Sequence, residues 1–487
     1  MQGIVIDEPV LFELGSPGRQ GYSLNRLEDA ATSPEHLLPA DEIRGEVEGL
    51  PELTELDIVR HFTRLSQWNF SIDANFYPLG SCTMKYNPKL NEDMARLDGF
   101  AGHHPLAPDA CSQGSLQLMF ELQEYLKEIS GMDHVTLQPA AGAQGEMTGI
   151  LLVHTCLTAR GNPRKKVLMP DSAHGTNPAS SALCGYHVVH IPSNDQGLID
   201  PAQVERLMDE DTAAIMLTNP NTLGMFEQDI LKITEIVHGK GGLVYCDGAN
   251  LNALMGVTRI GDMDIDVLHF NLHKTFSTPH GGGGPGAGPV GVKKIFEPFL
   301  PVPVVEKTDQ EYRLNYDRPQ TIGKVKNFLG NFGMLVRAYT YIRSLGPEGI
   351  RRISEMAVLN ANYVKASLKD LYHLPYPGDS LHEVVFNDRN QLAHDIKTTD
   401  IAKTLIDFGF HPPTIYFPLI VKGALMIEPT ESESKDTLDG FIQAMRDIAG
   451  LAQSEPGEFA SRPHFSKVSR PDEAGAARRP RLRWMPS

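Results

Sequence analysis

Residues 242–286 read GLVYCDGANLNALMGVTRIGDMDIDVLHFNLHKTFSTPHGGGGPG, and this stretch decides the fold of the chain. It contains two short apolar runs, at 242–246 and 266–270, and polar residues follow each of them. Short apolar runs bounded in this way are typical of strands buried in a parallel sheet. Asp247 follows the first run and Lys274 follows the second, one strand–crossover–strand step later, so we expect both at one sheet edge.

The same alternation continues on the amino-terminal side of this stretch. Apolar runs predict three more buried strands, at 166–169, 187–191 and 213–217. Helical spacing of apolar residues predicts intervening and preceding helices at 201–210, 230–240 and 113–130, the last ended by Gly131. Strands that alternate with helices predict an α/β fold with a mostly parallel sheet. Ligands of such sheets bind beyond the carboxyl ends of the strands.

The flanking regions differ from this core in composition. Residues 1–80 are rich in proline and charge and contain one predicted helix, at 55–68, with an apolar stripe of Leu56, Val59, Phe62 and Leu65. A smaller α+β region is predicted from helices at 346–371 and 435–449 and strands at 382–386 and 423–427. We therefore expect an N-terminal arm, a large α/β domain, a small C-terminal α+β domain and a basic tail, over 1–80, 81–329, 330–455 and 456–487.

Composition excludes several classes of function. The 487 residues include 44 Lys+Arg against 61 Asp+Glu, and the net charge of −17 would repel a nucleic-acid backbone. No apolar run approaches the ~20 residues that span a bilayer, and the amino terminus lacks the pattern of a secretory signal. The five cysteines form no CxxC pair, which favours reduced thiols and a cytoplasmic location.

Lys274 and Asp247 together indicate a cofactor chemistry. Lysine condenses with aldehydes once its amine is partly desolvated, and a carboxylate opposite a pyridine ring keeps the ring nitrogen protonated, as pyridoxal phosphate (PLP) requires. Each residue also has a simpler interpretation. Lys274 precedes glycines and would be solvated in a surface loop, and Asp247 would cap the next helix.

Three further polar segments adjoin predicted helices or strands. The small residues of QPAAGAQGE at 138–146 precede a predicted helix at 147–159 and are typical of a phosphate-binding helix start. His174 lies in a turn after the strand at 166–169, and Thr218 and Asn221 follow the strand at 213–217. Alone, each segment is an ordinary loop or cap. Together with Lys274 and Asp247 they resemble the site of a fold-type I PLP enzyme, with an aspartate-aminotransferase-like fold.

A narrower resemblance rests on motifs that occur in order along the chain: YPLGSCTMKYNP at 77–88, GAQGE at 142–146, AHGTNP at 173–178, DGAN at 247–250, HKTF at 273–276 and EPTESE at 428–433. The chain is similar in these motifs to the P-protein of the glycine cleavage system, and most of all to its carboxyl-terminal half or separate subunit 2. The similarity extends from about residue 50 to the LRW at 482–484.

The resemblance implies a glycine dehydrogenase (aminomethyl-transferring) and assigns roles to particular residues. Lys274 would carry PLP, Asp247 would pair with the pyridine nitrogen and His174 would stack on the ring. The phosphate would lie at Ala141, Gly142, Ala143 and Gln144, although Ala141 stands where a serine is expected in many relatives. Further cofactor contacts are expected from Thr176, Thr218, Asn221, Ala249 and His273, and Thr430 is assigned no definite role.

The resemblance also implies substrates and partners. Glycine would lose CO2 and pass its aminomethyl group to the lipoyl arm of H-protein, with functional links to T-protein and L-protein. A subunit 1 that resembles the lysine-less half would complete a heterodimer and then a heterotetramer, and the loop at 281–286 would move to admit the lipoyl arm. The alternatives are another fold-type I enzyme (a cysteine desulfurase, aminotransferase or amino-acid decarboxylase), a non-catalytic scaffold subunit, and a homodimer.

Overall fold

A computed structural model describes residues 8–22, 34–45, 49–280 and 286–485. Its helices are α1 Glu55–Gln67, α2 Lys89–Ala95, α3 Asp98–Ala101, α4 Gln113–Ser130, α5 Gly142–Ala159, α6 Thr176–Leu183, α7 Pro201–Leu207, α8 Ile230–Gly239, α9 Phe332–Leu368, α10 Thr398–Asp407, α11 Lys435–Ser454 and α12 Glu473–Arg478. Its strands are β1 His134–Thr136, β2 Lys166–Pro170, β3 His187–Ile191, β4 Thr212–Thr218, β5 Leu243–Gly248, β6 Val267–Phe270, β7 Val290–Val292, β8 Val304–Lys307, β9 Tyr312–Asn315, β10 Val384–Asn387, β11 Thr414–Ile415 and β12 Ala424–Ile427.

A seven-stranded sheet forms the centre of the fold, in the order β1-β7-β6-β5-β4-β2-β3. The five adjacent strands β3, β2, β4, β5 and β6 pair in parallel, whereas β7 is antiparallel to both of its neighbours. The predicted α/β class and all five predicted strands are therefore confirmed. The sequence missed β1 and β7 because each has only three residues, too few to display a period.

Strands β4, β5 and β6 are buried on both faces, because helices cover the sheet on each side. Helix α4 presents Leu116, Leu122 and Leu126 to the apolar core and ends at Gly131, whose φ of 73° is the left-handed conformation of a helix stop. On α5, Gly149 lies against the ring of Tyr245, which points out from β5. Here a glycine brings the helix backbone close to the sheet.

The carboxyl-terminal part of the chain builds a second, smaller core. Strands β10, β12 and β11 form an antiparallel sheet in that order, and α11 packs Phe441, Met445 and Ile448 into its apolar cluster. The helix predicted at 346–371 begins earlier, at Phe332, and its backbone breaks at Gly346 (φ 64°), directly before Pro347. Proline has no N–H to continue the helical hydrogen bonds, which is consistent with a break at this point.

Residue contacts divide the chain into two compact units, 72–462 and the combination of 1–71 with 463–487. Both predicted α/β and α+β domains fall in the first unit. Residues 72–80, which the sequence analysis assigned to the arm, also belong there, because Leu79 pairs with Ile427 of β12. The predicted loop at 281–286 lies outside the described residues except for Gly286.

The unit of residues 1–71 and 463–487 contains α1 and α12. Thr54 and Asp57 form a capping box that starts α1. The buried carboxylate of Glu8 pairs with His61 at 2.8 Å and with Arg64 on one face of this helix, so the buried face of α1 is polar. In the same unit Phe12 stacks on Trp484 with ring centroids 5.3 Å apart. Among the described residues, no helix is long and apolar enough to cross a membrane.

Replacing Gly149 by alanine tests the close packing of α5 on the sheet. The added Cβ would overlap the ring of Tyr245, and overpacking of this kind costs about 1–3 kcal/mol. We expect a lower melting temperature by calorimetry. The matched control is Gly114→Ala on the exposed side of α4, where among the described residues nothing lies within 4 Å of the added carbon. An equal or smaller loss in Gly149→Ala than in Gly114→Ala would contradict this packing.

Candidate active site

Three neighbouring strands end at one cavity. The register aligns Thr218 of β4 with Asp247 of β5, and Asp247 with His269 of β6. Lys274 follows β6 after a short turn whose backbone bonds include Lys274 N–H to the Asn271 carbonyl. The cavity between these strand ends and the starts of α5 and α6 has a volume of about 210 Å³. It lies where a parallel sheet is expected to bind its ligand.

The structure brings most of the sequence-predicted site residues to this cavity: Gly142, Ala143, His174, Thr176, Thr218, Asp247, Ala249, His273 and Lys274 line it. Ala141, Gln144 and Asn221 do not. Six further residues, to which the sequence assigned no role, also line the cavity: Ser81, Glu146, Thr222, Asn250, His269 and Asn271.

Asp247 is a buried carboxylate with a complete set of partners. Its Oδ1 accepts from the Ala249 N–H at 2.9 Å and lies 3.4 Å from His269 Nε2, and its Oδ2 accepts from Asn177 Nδ2 at 3.2 Å. Burial opposes ionisation, but the electrostatic interactions with His269 and Lys274 and the hydrogen bond from the Ala249 N–H outweigh it and hold the pKa of Asp247 below its usual value. The site therefore keeps a negative charge at the end of β5.

His269 links this carboxylate to the sheet. Its Nδ1 is 2.7 Å from the hydroxyl of Tyr245, and its Nε2 is 2.9 Å from Asn271 Nδ2. Burial lowers the pKa of His269, and the charge of Asp247 only partly offsets that effect. Because both ring nitrogens are engaged, the orientation of His269 beside Asp247 is fixed.

Glu146 is a second buried carboxyl in the cavity wall. It accepts hydrogen bonds from Thr176 Oγ1 at 2.8 Å and Ser180 Oγ at 3.4 Å. Burial, followed by repulsion from Asp247, raises the pKa of Glu146 to about 7. Two carboxyl groups in adjoining positions thus have opposite pKa shifts, which is how a site keeps one neutral and the other ionised.

His174 and Thr176 form one side of the cavity at the start of α6. The Nδ1 atom of His174 is 2.9 Å from Thr176 Oγ1, and the ring lies edge-on to Phe417 with centroids 5.7 Å apart. Burial, and then the charge of Lys274, lower the pKa of His174. The imidazole is therefore neutral at physiological pH, and its ring presents an uncharged aromatic surface to the cavity.

The first turn of α5 forms another wall. Helix N-termini present unpaired backbone N–H groups to anions such as phosphate, and Gly142 and Ala143 line the cavity there. The helix begins at Gly142 rather than at the predicted Met147. Gln144 is committed elsewhere, because its Oε1 accepts from the Ala140 N–H and its Nε2 donates to the Val325 carbonyl.

Two other predicted positions stabilise turns. Asn221 donates to the Gly197 carbonyl at 3.0 Å and to Glu227 at 2.9 Å, and its Oδ1 accepts from the Leu223 N–H at 3.0 Å. Thr430 has a φ of 64° and pairs with Ser432 at 2.9 Å. Neither residue lines the cavity.

Several buried polar atoms at the cavity have no partner among the described residues: Thr218 Oγ1, Asn250 Oδ1 and His273 Nδ1. An unsatisfied buried polar atom costs about 1–3 kcal/mol. Such atoms therefore indicate a polar ligand. With an amine at Lys274, a carboxylate at Asp247 and a helix N-terminus, these residues fit PLP, which has an aldehyde, a pyridine nitrogen and a phosphate.

The cavity residues that the sequence did not predict differ in whether any sequence signal could have identified them. His269 stands in the register of Asp247 one strand along, so a strand alignment would have found it. Glu146 and Ser81 lie inside quoted motifs, at 142–146 and 77–88, but nothing local shows that their side chains face the cavity. Thr222, Asn250 and Asn271 lie in polar turns after strands, where the sequence did not distinguish them from their neighbours.

The chain is similar to known proteins in both sequence and fold. Family models described as "Aminotransferase class-V" and "Glycine dehydrogenase, C-terminal domain" match residues 144–284 and 353–462. A solved structure of a glycine decarboxylase (P-protein) of the glycine cleavage system has a TM-score of 0.73 at 23% identity, over 86% of this chain and 95% of that chain. A cysteine desulfurase from Escherichia coli has a TM-score of 0.60 at 16% identity, over 78% and 96%.

The fold, the strand-end lysine and the aspartate one strand away define a fold-type I PLP-dependent enzyme. Relatives from Bacillus cytotoxicus and Halalkalibacterium halodurans, each named "Probable glycine dehydrogenase (decarboxylating) subunit 2", are 55% and 56% identical over 479 residues, covering 98% of this chain and 98% of each relative. The chain belongs to the family of glycine dehydrogenase (decarboxylating) subunit 2. The predicted resemblance, fold class and cofactor are confirmed, whereas the roles of single residues stay predictions.

The raised pKa of Glu146 predicts a pH-dependent stability. Between the usual value of 4.5 and about 7, the folded chain keeps a proton that the unfolded chain has lost. The free energy of unfolding should therefore fall as pH rises through this window and level off above it, by about 1–3 kcal/mol. The Glu146→Gln variant is neutral throughout and should lack this loss. Chemical denaturation of the apo-protein at several pH values measures both, and parallel profiles would contradict the assignment.

Proposed function

We propose that this chain is the PLP-bearing subunit of a glycine-decarboxylating enzyme. The observation that carries the proposal is the convergence of Lys274, Asp247 and His174 on one cavity, in a chain that matches subunit 2 relatives along 98% of its length. The net reaction joins glycine and a lipoyl disulfide and yields CO2 and an aminomethyl-dihydrolipoyl group. Glycine is the substrate, and lipoylated H-protein is the acceptor.

The residues of the cavity divide this work. Lys274 would hold the cofactor covalently, and Gly142 and Ala143 would offer backbone N–H groups to its phosphate. PLP supplies, when bound, an electron sink for the pair of electrons that CO2 leaves behind. Ionised Asp247 would keep the ring nitrogen protonated, and neutral His174 would cover the ring face. Thr176, Thr218, Ala249 and His273 would complete the cofactor contacts.

The size of the cavity favours a small substrate. Its volume of about 210 Å³ is below the ~300–1,000 Å³ of pockets for drug-sized ligands. The cofactor itself would take up much of that space. Glycine, which has no side chain, suits what remains, and CO2 loss needs no further group on the substrate carbon.

The wider setting is part of the same proposal. The chain would have a functional link to T-protein and L-protein. We assign the reaction to the cytoplasm, since all five cysteines are free thiols and unpaired cysteines are usual in reducing compartments.

Replacing Lys274 tests the function directly. We expect Lys274→Ala to lose the absorbance of covalently bound PLP and to lose at least about a thousandfold in CO2 exchange into glycine with H-protein present, since no other residue of the site supplies the amine. The control is Lys232→Ala, an exposed position on α8. Full exchange by Lys274→Ala would contradict the assignment. Sulfur release from cysteine by the wild-type protein, without glycine exchange, would favour the desulfurase alternative.

A partner subunit is implied by the name of the relatives, and we propose that it is a subunit 1 resembling the lysine-less half of the P-protein. The support is the exposed stripe of α1. Leu56, Val59 and Phe62 are 55%, 54% and 53% exposed, while the opposite face of the helix carries the pair of Glu8 and His61. An apolar stripe on the solvent side of a helix is typical of an interface. Two such heterodimers would form a heterotetramer.

A charge in the stripe tests the interface. We expect Phe62→Glu to lower the affinity for co-expressed subunit 1 at least about tenfold, because burying an unpaired carboxylate costs more than 1.4 kcal/mol. The control is Arg60→Glu, which adds a carboxylate to the same helix outside the stripe. Light scattering of the co-purified complex measures both. A stable homodimer of this chain alone, with full decarboxylation, would contradict the heteromeric assembly.

A further inference from the structure

The turn at Ser81–Thr83 forms a wall of the cofactor cavity in an unfavourable backbone conformation. Ser81 lines the cavity, and its φ is 63°, while that of Thr83 is 49°. Residues with a Cβ atom rarely occupy this left-handed region, and a β-branched threonine least of all. Such a conformation persists only where the surroundings enforce it. The structure therefore has to supply specific contacts that hold the turn.

The segment enters the turn along the small antiparallel sheet. Leu79 pairs with Ile427 of β12, and the Gly80 N–H donates to the Met426 carbonyl at 3.2 Å. Thr414 Oγ1 donates to the Gly80 carbonyl at 2.7 Å. The carboxyl-terminal region thus fixes the start of the turn. Side chains of the carboxyl-terminal region then hold the two strained residues, Ser81 and Thr83.

Each strained residue donates its backbone N–H to a fully buried carboxyl group. Glu383 Oε2 accepts from the Ser81 N–H at 2.8 Å. Glu428 Oε2 accepts from the Thr83 N–H at 2.9 Å, and Glu428 Oε1 accepts from Thr83 Oγ1 at 2.6 Å. Together the two carboxyl groups accept three hydrogen bonds from the turn, which fixes both residues in the conformation that has to be enforced.

The two carboxyl groups are unusually close for buried acids. Oxygen atoms of Glu383 and Glu428 and a ring nitrogen of His382 lie within 4.8 Å of one another, and Asn252 Nδ2 is 3.3 Å from Glu428. Burial, and then the charge of the other carboxyl, raise the pKa of Glu383, while burial raises that of Glu428 to about 7. The other charged groups that act on the pair are Glu431 and Lys274.

The same segment also reaches the loop of the cofactor lysine. Lys85 Nζ donates to the Thr275 carbonyl at 2.9 Å and to Glu431 Oε1 at 2.6 Å. The carbonyl belongs to the residue directly after Lys274. A shift of the 81–85 segment would therefore move the loop that carries Lys274 as well as the cavity wall.

We propose that Glu383 and Glu428 are positioning residues for the active site, which hold the Ser81–Thr83 turn as the cavity wall facing Lys274. The proposal deepens the proposed function and rests on it for the choice of substrate. It assigns a role in the reaction to the small domain, through two side chains that do not line the cavity.

The experiment uses a matched pair of carboxyl–threonine contacts within this chain. Glu428 receives both the N–H and the Oγ–H of Thr83, and Asp388 receives both the N–H and the Oγ–H of Thr398, at 2.9 and 2.8 Å. The second contact caps α10, away from the cavity. The test variants are Glu428→Gln and Thr83→Val, with Asp388→Asn and Thr398→Val as controls. Thr83→Val leaves the acid pair intact, so the test survives if Glu428→Gln does not fold.

All four full-length variants should lose thermal stability, but only the test variants should change the site. For Glu428→Gln and Thr83→Val we expect the Kd for PLP and the KM for glycine to rise about fivefold or more, with kcat changed less, as expected for lost positioning bonds. In the apo-protein, hydrogen exchange of a peptide covering 79–85 should speed up in these two variants. The controls should change none of these three quantities (the Kd, the KM and the exchange rate) more than about twofold.

Equal effects in all four variants, or none in the test variants, would overturn the proposal. One equivalent of divalent metal bound to the purified wild-type chain and lost in Glu428→Gln would overturn it too, since the carboxyl groups would then serve as ligands. If the wild-type protein does not act on glycine, the proposed function fails alone. The PLP affinity and the exchange of the apo-protein then still decide whether the turn is held as proposed.

Discussion

The site depends on one electrostatic constraint, which is the ionised carboxylate of Asp247 in the interior of the sheet. An isolated charge there would carry a large desolvation cost. The chain offsets this cost with fixed partners: a backbone N–H at Ala249, the amide of Asn177 and the imidazole of His269. Each partner comes from a different part of the chain. The charge of Asp247 is therefore stable only when β6 is paired with β5 and α6 is packed beside them.

The same requirement explains why the surroundings of Asp247 are so closely packed. His269 is held by Tyr245 from the next strand and by Asn271, and the Tyr245 ring lies in turn against Gly149 of α5. The close approach of α5 brings Glu146 near Asp247, and there it takes up a proton more readily than a solvated carboxyl would. Packing and charge are therefore two aspects of the same arrangement.

Strand-end reasoning from the sequence identified Lys274 and Asp247, because apolar runs reveal strands and parallel strands bring their carboxyl ends together. It was less successful with the first turn of α5. The sequence predicted a phosphate contact for Gln144 and no role for Glu146, two positions further along. Which of the two side chains faces the cavity depends on where the helix begins. The motif spacing does not contain that information, since Gly142–Gln144 were predicted as loop.

Long-range contacts lie beyond any local pattern. Thr83 and Glu428 are separated by most of the chain. Each occurs in a quoted motif, but the sequence of the motifs does not show that the two residues are in contact. The likeness to a cysteine desulfurase is a likeness of fold, and the fold alone does not specify the reaction, which depends on the residues of the site. In this chain Ser81 of the 77–88 segment lines the cavity, and Glu383 and Glu428 of the small domain bond to that segment.

The contact of Lys85 with Glu431 and with the Thr275 carbonyl has a consequence for biosynthesis. A nascent chain that has left the ribosome only as far as the end of the large α/β region already contains His174, Asp247 and Lys274. It still lacks Glu383, Glu428 and Glu431, so the carboxyl groups that accept from Ser81, Thr83 and Lys85 are not yet present. The cavity is completed only when the last quarter of the polypeptide has folded against its first, and the order of translation therefore delays the finished site until the chain is nearly complete.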